Sequence, residues 1–433
     1  MKFLEALGRR FSVNVLWKNI LLISSGTAIA QAVTIAVTPI VTRLFEPSDY
    51  GILSSFNSII AVLVIIGSFD YHKAIPLAKD NKEAVNLLVL SLLILFSIMF
   101  LIFLGLYICG ETIFSSLEIH DLWNFRVYLP VAFLLIGTYK ILLEYAIRNR
   151  NYAVITQTTI YQSVVANVCR VILGYFGVGA LGLILSSIMG KSGGIYKLTK
   201  PFVSIKGVYN QINKNSIWDL IHRYRRYPLY STPSNLIYTL GNNLPMLFLL
   251  AFFGSSEVGL FGLATNIINI PISLVGISVS QVFFAEAAKI GKHKPKELKD
   301  LSTKLVLKLA TFGVIPLLVV FIYGPQMFSF IFGNQWYVAG IYARILSVMI
   351  YFHLLILPIG RLLEILELQR LGLIFNVIRL ACISLVFYGT WKLDISSINT
   401  IVSFVIVNSI FFLSLLLWVL KILRRKSLIQ VEL

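Results

Sequence analysis

The stretch Leu44-Phe-Glu-Pro-Ser-Asp-Tyr-Gly-Ile-Leu-Ser-Ser-Phe-Asn-Ser-Ile-Ile60 returns, altered, as Phe252-Phe-Gly-Ser-Ser-Glu-Val-Gly-Leu-Phe-Gly-Leu-Ala-Thr-Asn-Ile-Ile268. At a constant offset of 208, Phe45, Ser48, Gly51, Ile59 and Ile60 fall on Phe253, Ser256, Gly259, Ile267 and Ile268, with Asp49 opposite Glu257. Both copies read as a short turn that joins one apolar helix to the next. A second echo, at offset 220, sets Leu142-Leu-Glu144 against Leu362-Leu-Glu364 and Arg150 against Arg370. Two matches with offsets near half of 433 residues point to a chain built from two like halves.

Composition decides what those halves are. Hydrophobic residues make up 58% and charged residues 13% of the sequence, where a soluble domain carries roughly 25% charge. Mean hydropathy is +0.84. Apolar runs near twenty residues recur along the whole length, which predicts a polytopic all-α membrane protein. Twelve spans are expected, at 19–44, 52–70, 86–108, 125–147, 154–176, 179–198, 229–252, 258–284, 305–323, 338–360, 371–391 and 398–420. The sixth is broken near its end by Gly190-Lys-Ser-Gly-Gly194.

The net charge of +18 follows the alternation of these spans. Thirty of the 37 lysines and arginines fall in alternate connections and at both ends, while the intervening loops are short and lean acidic, with Glu46, Asp49, Glu111, Glu118, Asp121 and Glu257. The positive-inside rule then places both termini in the cytoplasm. Anionic headgroups of membrane lipids, rather than nucleic acid, are the partners this charge calls for. Met1–Arg10 reads as a basic segment lying on the membrane surface, with no cleaved signal. Six spans separate the two copies, so both halves run the same way through the bilayer, as in a parallel repeat. The expected division is an N-terminal six-helix bundle at 1–198, a basic cytoplasmic connector at 199–228 and a C-terminal six-helix bundle at 229–433. Two such bundles around a central cavity form the architecture of an alternating-access transporter.

Four cations lie roughly 10 Å from the nearer end of their spans, at 1.5 Å per residue: Lys140, Arg170, Arg344 and Arg379. Each costs on the order of 3 kcal/mol in lipid, so such a residue ordinarily faces a protein interior or a watery cavity. Intramembrane acids to neutralise them are few, which suggests that the cargo is the counter-ion. The competing reading is structural: a local Lys140–Glu144 pair at i,i+4, and snorkelling of Arg170 and Arg344 to the headgroups. Arg379, nearest the midplane, is least able to escape. Gln31, Thr34, Thr38 and Pro39 in the first span correspond in position to Asn242, Asn243 and Pro245 in the seventh, and a mid-helix proline frees a carbonyl and bends the helix. These polar residues are candidate parts of a pathway, with plain helix packing as the alternative.

Cys109, Cys169 and Cys382 are scattered and give neither a disulfide framework nor a metal spacing. No Walker A motif, zinc-ligand pair or nucleophile elbow is present. The reading therefore expects no metal, no cofactor and no enzymatic activity.

The basic run ending at Arg226 is followed by Tyr227-Pro-Leu-Tyr-Ser-Thr-Pro-Ser-Asn235, Asn243-Leu-Pro245 and Phe252-Phe-Gly-Ser-Ser-Glu-Val-Gly259. Together with Ser25-Gly26, Pro39-Ile-Val-Thr-Arg-Leu44 and Pro47-Ser-Asp-Tyr-Gly51, this resembles the Wzx-type O-antigen translocases of the multidrug/oligosaccharidyl-lipid/polysaccharide exporter superfamily. The resemblance spans the whole chain. It implies flipping of an undecaprenyl-pyrophosphate-linked oligosaccharide, an O-antigen or capsule repeat unit of lipopolysaccharide or polysaccharide biosynthesis, across the bacterial inner membrane. It further implies a polysaccharide polymerase and chain-length machinery as partners, and a cationic lumen in which Lys140, Arg170, Arg344 and Arg379 meet the pyrophosphate and acidic sugars. The first span lacks an obvious carboxylate for a coupling ion. A multidrug extruder of the same superfamily is the first alternative, though such pumps present intramembrane carboxylates to cations. A membrane glycosyltransferase or polymerase is the second, but the longest outside loop, about 109–124, is short for one.

Overall fold

In hydrocarbon every backbone amide and carbonyl must be satisfied within its own segment, so apolar sequence of this kind folds as helices. The computed structural model describes residues 15–203, 212–270, 272–291, 294–366 and 368–429. The expected surface segment Met1–Arg10 and residues 204–211 of the connector lie outside the described residues. Sixteen α-helices and no strand are found among the described residues. They are α1 Val15–Leu44, α2 Pro47–Ile66, α3 Asn81–Ser116, α4 Tyr128–Arg148, α5 Tyr152–Tyr175, α6 Ala180–Ser192, α7 Ile195–Val203 and α8 Lys214–Arg223. After the midpoint come α9 Thr232–Phe253, α10 Ser255–Ile268, α11 Ile277–Ile290, α12 Pro295–Phe332, α13 Tyr337–Gly360, α14 Leu362–Ile365, α15 Gln369–Lys392 and α16 Ser397–Ile429.

Each of the twelve expected spans coincides with helix. Nine helical segments among the described residues are long and apolar enough to cross a membrane. The other three expected spans depart from that standard for visible reasons. The helix α5 has 24 residues, but Gln157, Gln162, Asn167 and Arg170 lower its hydropathy. The helix α6 stops after 13 residues at Gly193, within the glycine-rich interruption that the sequence shows. Span 258–284 is divided into α10, a π-helical turn Ile272–Gly276, and α11.

The chain forms two compact units. One comprises Met1–Val41, Leu63–Gly110 and Asn124–Pro233; the other comprises Thr42–Val62, Glu111–Trp123 and Ser234–Leu433. Most of the helix α2, though early in the chain, is thus housed with the helices of the second half.

In the first unit α5 packs on α6, and α4 packs against the 3₁₀ segment Tyr71–Leu77. Arg148, at the end of α4, ties that segment down by donating to the Ala78 carbonyl at 2.5 Å. The short helix α8 is docked to the start of α3: Asn213 N donates to Asn86 Oδ1 at 3.0 Å, and Glu83 receives Arg223 at 3.1 Å and the Tyr224 hydroxyl at 2.9 Å.

The second unit is organised around α13, which packs on α12, α16 and α10. Its apolar core joins Leu298, Leu355, Ile359 and Val419. Here the two copies of the repeat meet. A methyl group on Gly51 would lie 1.7 Å from the Ser255 carbonyl oxygen, and one on Gly259 would lie 1.7 Å from the Pro47 carbonyl oxygen. Residues 47 and 255, like 51 and 259, are counterparts at offset 208, so the two contacts are reciprocal. Gly262 lies against Ser54, its own counterpart at the same offset. The spacing 47, 51, 54 puts these residues on one face of α2. Small residues on such a face let two membrane helices approach backbone to backbone.

Beside this crossing, the last carbonyls of α1 are taken up by the α12–α13 connection. The Thr42 carbonyl accepts from the Trp336 indole at 2.9 Å and from Gln335 Nε2 at 2.8 Å. Trp336 is fully buried and meets Tyr50 edge-on at 5.0 Å between centroids.

Candidate functional site

The first unit builds a polar pocket between α1, α5 and α6, with a volume of ≈ 240 Å³. Its frame is a ladder of hydroxyls and amides. Ser163 Oγ donates to the Ala30 carbonyl at 2.7 Å and stands 3.1 Å from Thr34 Oγ1. Asn167 Nδ2 donates to the Ser163 carbonyl at 2.8 Å and to Thr34 Oγ1 at 3.2 Å. That leaves Asn167 Oδ1 to accept from Arg170 at 3.5 Å. Gln31, Gln162, Arg170 and Lys191 also line the pocket. Gln162 Nε2 donates to the Lys191 carbonyl at 2.9 Å, closing the α5–α6 side. Thr38 faces its own helix, donating to the Thr34 carbonyl at 2.6 Å, and Pro39 lies within α1.

Lys191 is the residue that sequence reasoning misses, since it reads there as part of a basic cytoplasmic run. It lies within electrostatic reach of both Arg170 and Lys140. Two cations, Arg170 and Lys191, therefore line the pocket together, and their mutual repulsion suits it to an anionic ligand. The local Lys140–Glu144 pair of the competing structural reading is not formed among the described residues. Both face a different neighbourhood, in which Lys73 is near each of them and Asp70 is near Lys140.

That neighbourhood follows α2. Asp70 is 1% exposed and adopts φ 59°, a left-handed conformation uncommon for a side-chain-bearing residue. It binds Lys73 at 3.0 Å and accepts from Ser231 Oγ at 2.7 Å. Ser231 belongs to the π-helical turn Tyr227–Ser231 that precedes α9. His72 bonds Ser68 at 2.6 Å. Burial, helped by Lys73 and Lys140, pushes the imidazole down to about 4 against the pull of Asp70. No sequence motif marks this cluster; its members come together only through the turn of the chain after α2.

The second unit holds its deep arginine differently. Arg379, half-buried on α15, donates from Nε to Asn408 Oδ1 at 2.8 Å and from Nη2 to Asn242 Oδ1 at 3.0 Å. Asn408 is fully buried and spends its own N–H on the Phe404 carbonyl at 2.8 Å, which turns its oxygen toward the guanidinium. The guanidinium stands over the Phe412 ring at 5.1 Å. Of the five N–H donors of an arginine, three here have no partner among the described residues. Asn242 is thus brought to Arg379. Asn243 turns back to the Thr239 carbonyl at 2.9 Å, and Pro245 is buried within α9. Arg344 is separate from this group: it donates to the Ile322 carbonyl at 3.0 Å, on the turn before Pro325. Neither Arg344 nor Arg379 meets an acidic side chain among the described residues.

No group of three or more His, Cys, Asp or Glu side chains able to hold a metal ion occurs among the described residues. Glu257 instead accepts a hydrogen bond from the hydroxyl of Tyr342, which also lies 3.0 Å from Ser397 Oγ.

Solved structures with this fold include an inward-facing and an outward-facing multidrug resistance MATE family transporter of the MOP superfamily. The first is 15% identical, with a TM-score of 0.65 over 94% of this chain and 96% of the other. The second is also 15% identical, with a TM-score of 0.62 over 95% and 96%. A MOP superfamily transporter from Pyrococcus furiosus, whose pocket is described as having reverse polarity suggesting a different function, is 14% identical with a TM-score of 0.54 over 95% and 96%. No curated protein matches the chain in sequence. Residues 40–340 match the family described as polysaccharide biosynthesis protein. With well over half its length inside that match, and with the fold of the MOP transporters, the chain is a member of the polysaccharide biosynthesis protein family.

Proposed function

We propose that the protein is a membrane transporter that carries a lipid-linked oligosaccharide with an anionic pyrophosphate link across the bacterial cytoplasmic membrane, both termini lying in the cytoplasm. The observation that supports this most directly is Arg379. It is positioned by two amides and an aromatic face, keeps three donors unspent, and has no acidic partner among the described residues. An intramembrane cation held this way is costly unless an anion visits it. The pocket of Arg170 and Lys191 offers a second anionic contact, with the hydroxyls and amides that sugar recognition uses. The lipid tail stays in the bilayer while the headgroup crosses.

Arg379→Ala should abolish surface display of the polysaccharide while folded protein persists at its normal level, and Arg379→Lys should keep part of the activity. Normal display from the Arg379→Ala strain would overturn the proposal. Multidrug extrusion is the second reading, drawn from what the structural neighbours are described as doing. A deletion strain that becomes broadly drug-sensitive, with its polysaccharide intact, would favour it.

A further inference from the structure

Phe412 serves two groups that can carry positive charge. The Arg379 guanidinium stands over its ring at 5.1 Å. His353, on α13, stacks on the same ring with centroids 4.9 Å apart and planes 16° from parallel. The imidazole and the guanidinium are therefore no more than about 10 Å apart by these two distances. His353 is half-buried, and neither ring nitrogen has a hydrogen-bond partner among the described residues. The unprotonated ring nitrogen is therefore free to take a proton.

We propose that His353 is a proton-binding site linked to an anion on Arg379, the proton and the anion binding cooperatively. The proposal rests on Arg379 being the anion's seat. Two like charges at this distance, in surroundings of effective dielectric near 20, alter each other's binding roughly tenfold. An anion on the guanidinium cancels that opposition. By reciprocity a proton on His353 strengthens anion binding by the same factor.

The surroundings leave few rivals for this role. From α15 the facing charge is Arg379. From α16 come Phe412 and, at Arg379, Asn408, neither of which titrates. Tyr238 of α9 stands near Arg379. On α13 itself, Tyr351 donates to the Ala310 carbonyl at 3.3 Å and Arg344 to Ile322. The helix α12 has no charged residue from Leu309 to Phe332. Glu286 of α11 is paired with Lys289 at 2.7 Å, Glu257 of α10 is engaged by Tyr342, and Glu364 of α14 is 3.6 Å from Arg361.

The charge coupling can be read without a ligand. Nuclear magnetic resonance titration of isotope-labelled histidine in nanodiscs, with the His353 signal assigned by its loss in His353→Gln, should show the proton binding about tenfold more tightly in Arg379→Gln. Arg379→Lys, which keeps the charge, should leave it unchanged. An unchanged titration in Arg379→Gln would overturn the linkage. For the anion the probe is citronellyl sulfate, whose charge is constant over the range used. Its affinity for the wild-type protein should rise about tenfold between pH 8 and the pH at which the His353 signal reports full protonation, and His353→Gln should bind it with no pH dependence over that range. Full pH dependence in His353→Gln would place the proton elsewhere and overturn the proposal. If Arg379→Ala binds the probe as tightly as the wild type, the reading of Arg379 as the anion's seat falls, independently of the imidazole titration.

Discussion

Asp49 accepts a hydrogen bond from the Glu46 amide at 3.2 Å at a helix start, whereas Glu257, its counterpart 208 residues on, accepts from the hydroxyl of the fully buried Tyr342. The glycines two residues further along do the same thing in both copies: each admits the other copy's backbone. The contrast separates two kinds of constraint. The shared glycines, Gly51 and Gly259, mark where the main chains touch, because any side chain there would displace both helices. Difference marks where each copy has taken on neighbours of its own. The cationic sites show the same divergence, with two cations at a hydroxyl-rich pocket in one unit and one arginine set by two amides in the other.

Breaking the shared part should have the largest effect. Gly51→Ala and Gly259→Ala should each cost about 3 kcal/mol or more, since even one methyl meets a carbonyl at 1.7 Å. The double variant should cost little more than either single one, because separating the helices relieves both clashes. Thermal unfolding in detergent checks this, and additive losses would mean that the two contacts are independent. Trp336→Phe should cost about 1–2 kcal/mol: it removes the indole donor to the Thr42 carbonyl, while Gln335 remains. The same melts, compared with Gln335→Leu, would show whether the two donors substitute for one another. The divergent part gives the smallest and sharpest test. Glu257→Gln should cost about 1 kcal/mol through loss of a charge-assisted bond to a buried hydroxyl, and Asp49→Asn less than about 0.5 kcal/mol at its half-buried site on the helix start. Equal costs would deny that the two acids differ in role.

Much of this fold is legible in the sequence because membrane helices announce themselves by hydropathy and the repeat survives where backbones meet. Gly51 and Gly259 stand out by their identity at offset 208 alone. What stays hidden is partnership. Nothing in the residues around Asn408, Phe412 or His353 says that they surround Arg379, since those contacts join helices α9, α13, α15 and α16 across long separations. Lys191 reads as one more basic residue of a cytoplasmic connector until α6 places it beside the pocket of Arg170. The helix α5 shows the opposite case. Its polar residues make it a poor span by composition for the same reason that they make it the wall of a site.

The placement of α2 bears on how the protein is made. The partner that its glycine face requires, α10, is synthesised about two hundred residues later, which at roughly 5–20 residues per second is a delay on the order of 10 to 40 s. Throughout that interval a helix with bare backbone along one side sits in the bilayer with lipid, or another protein, in the place α10 will take. Assembly of the second unit therefore begins early in translation and can finish only after the midpoint has been passed.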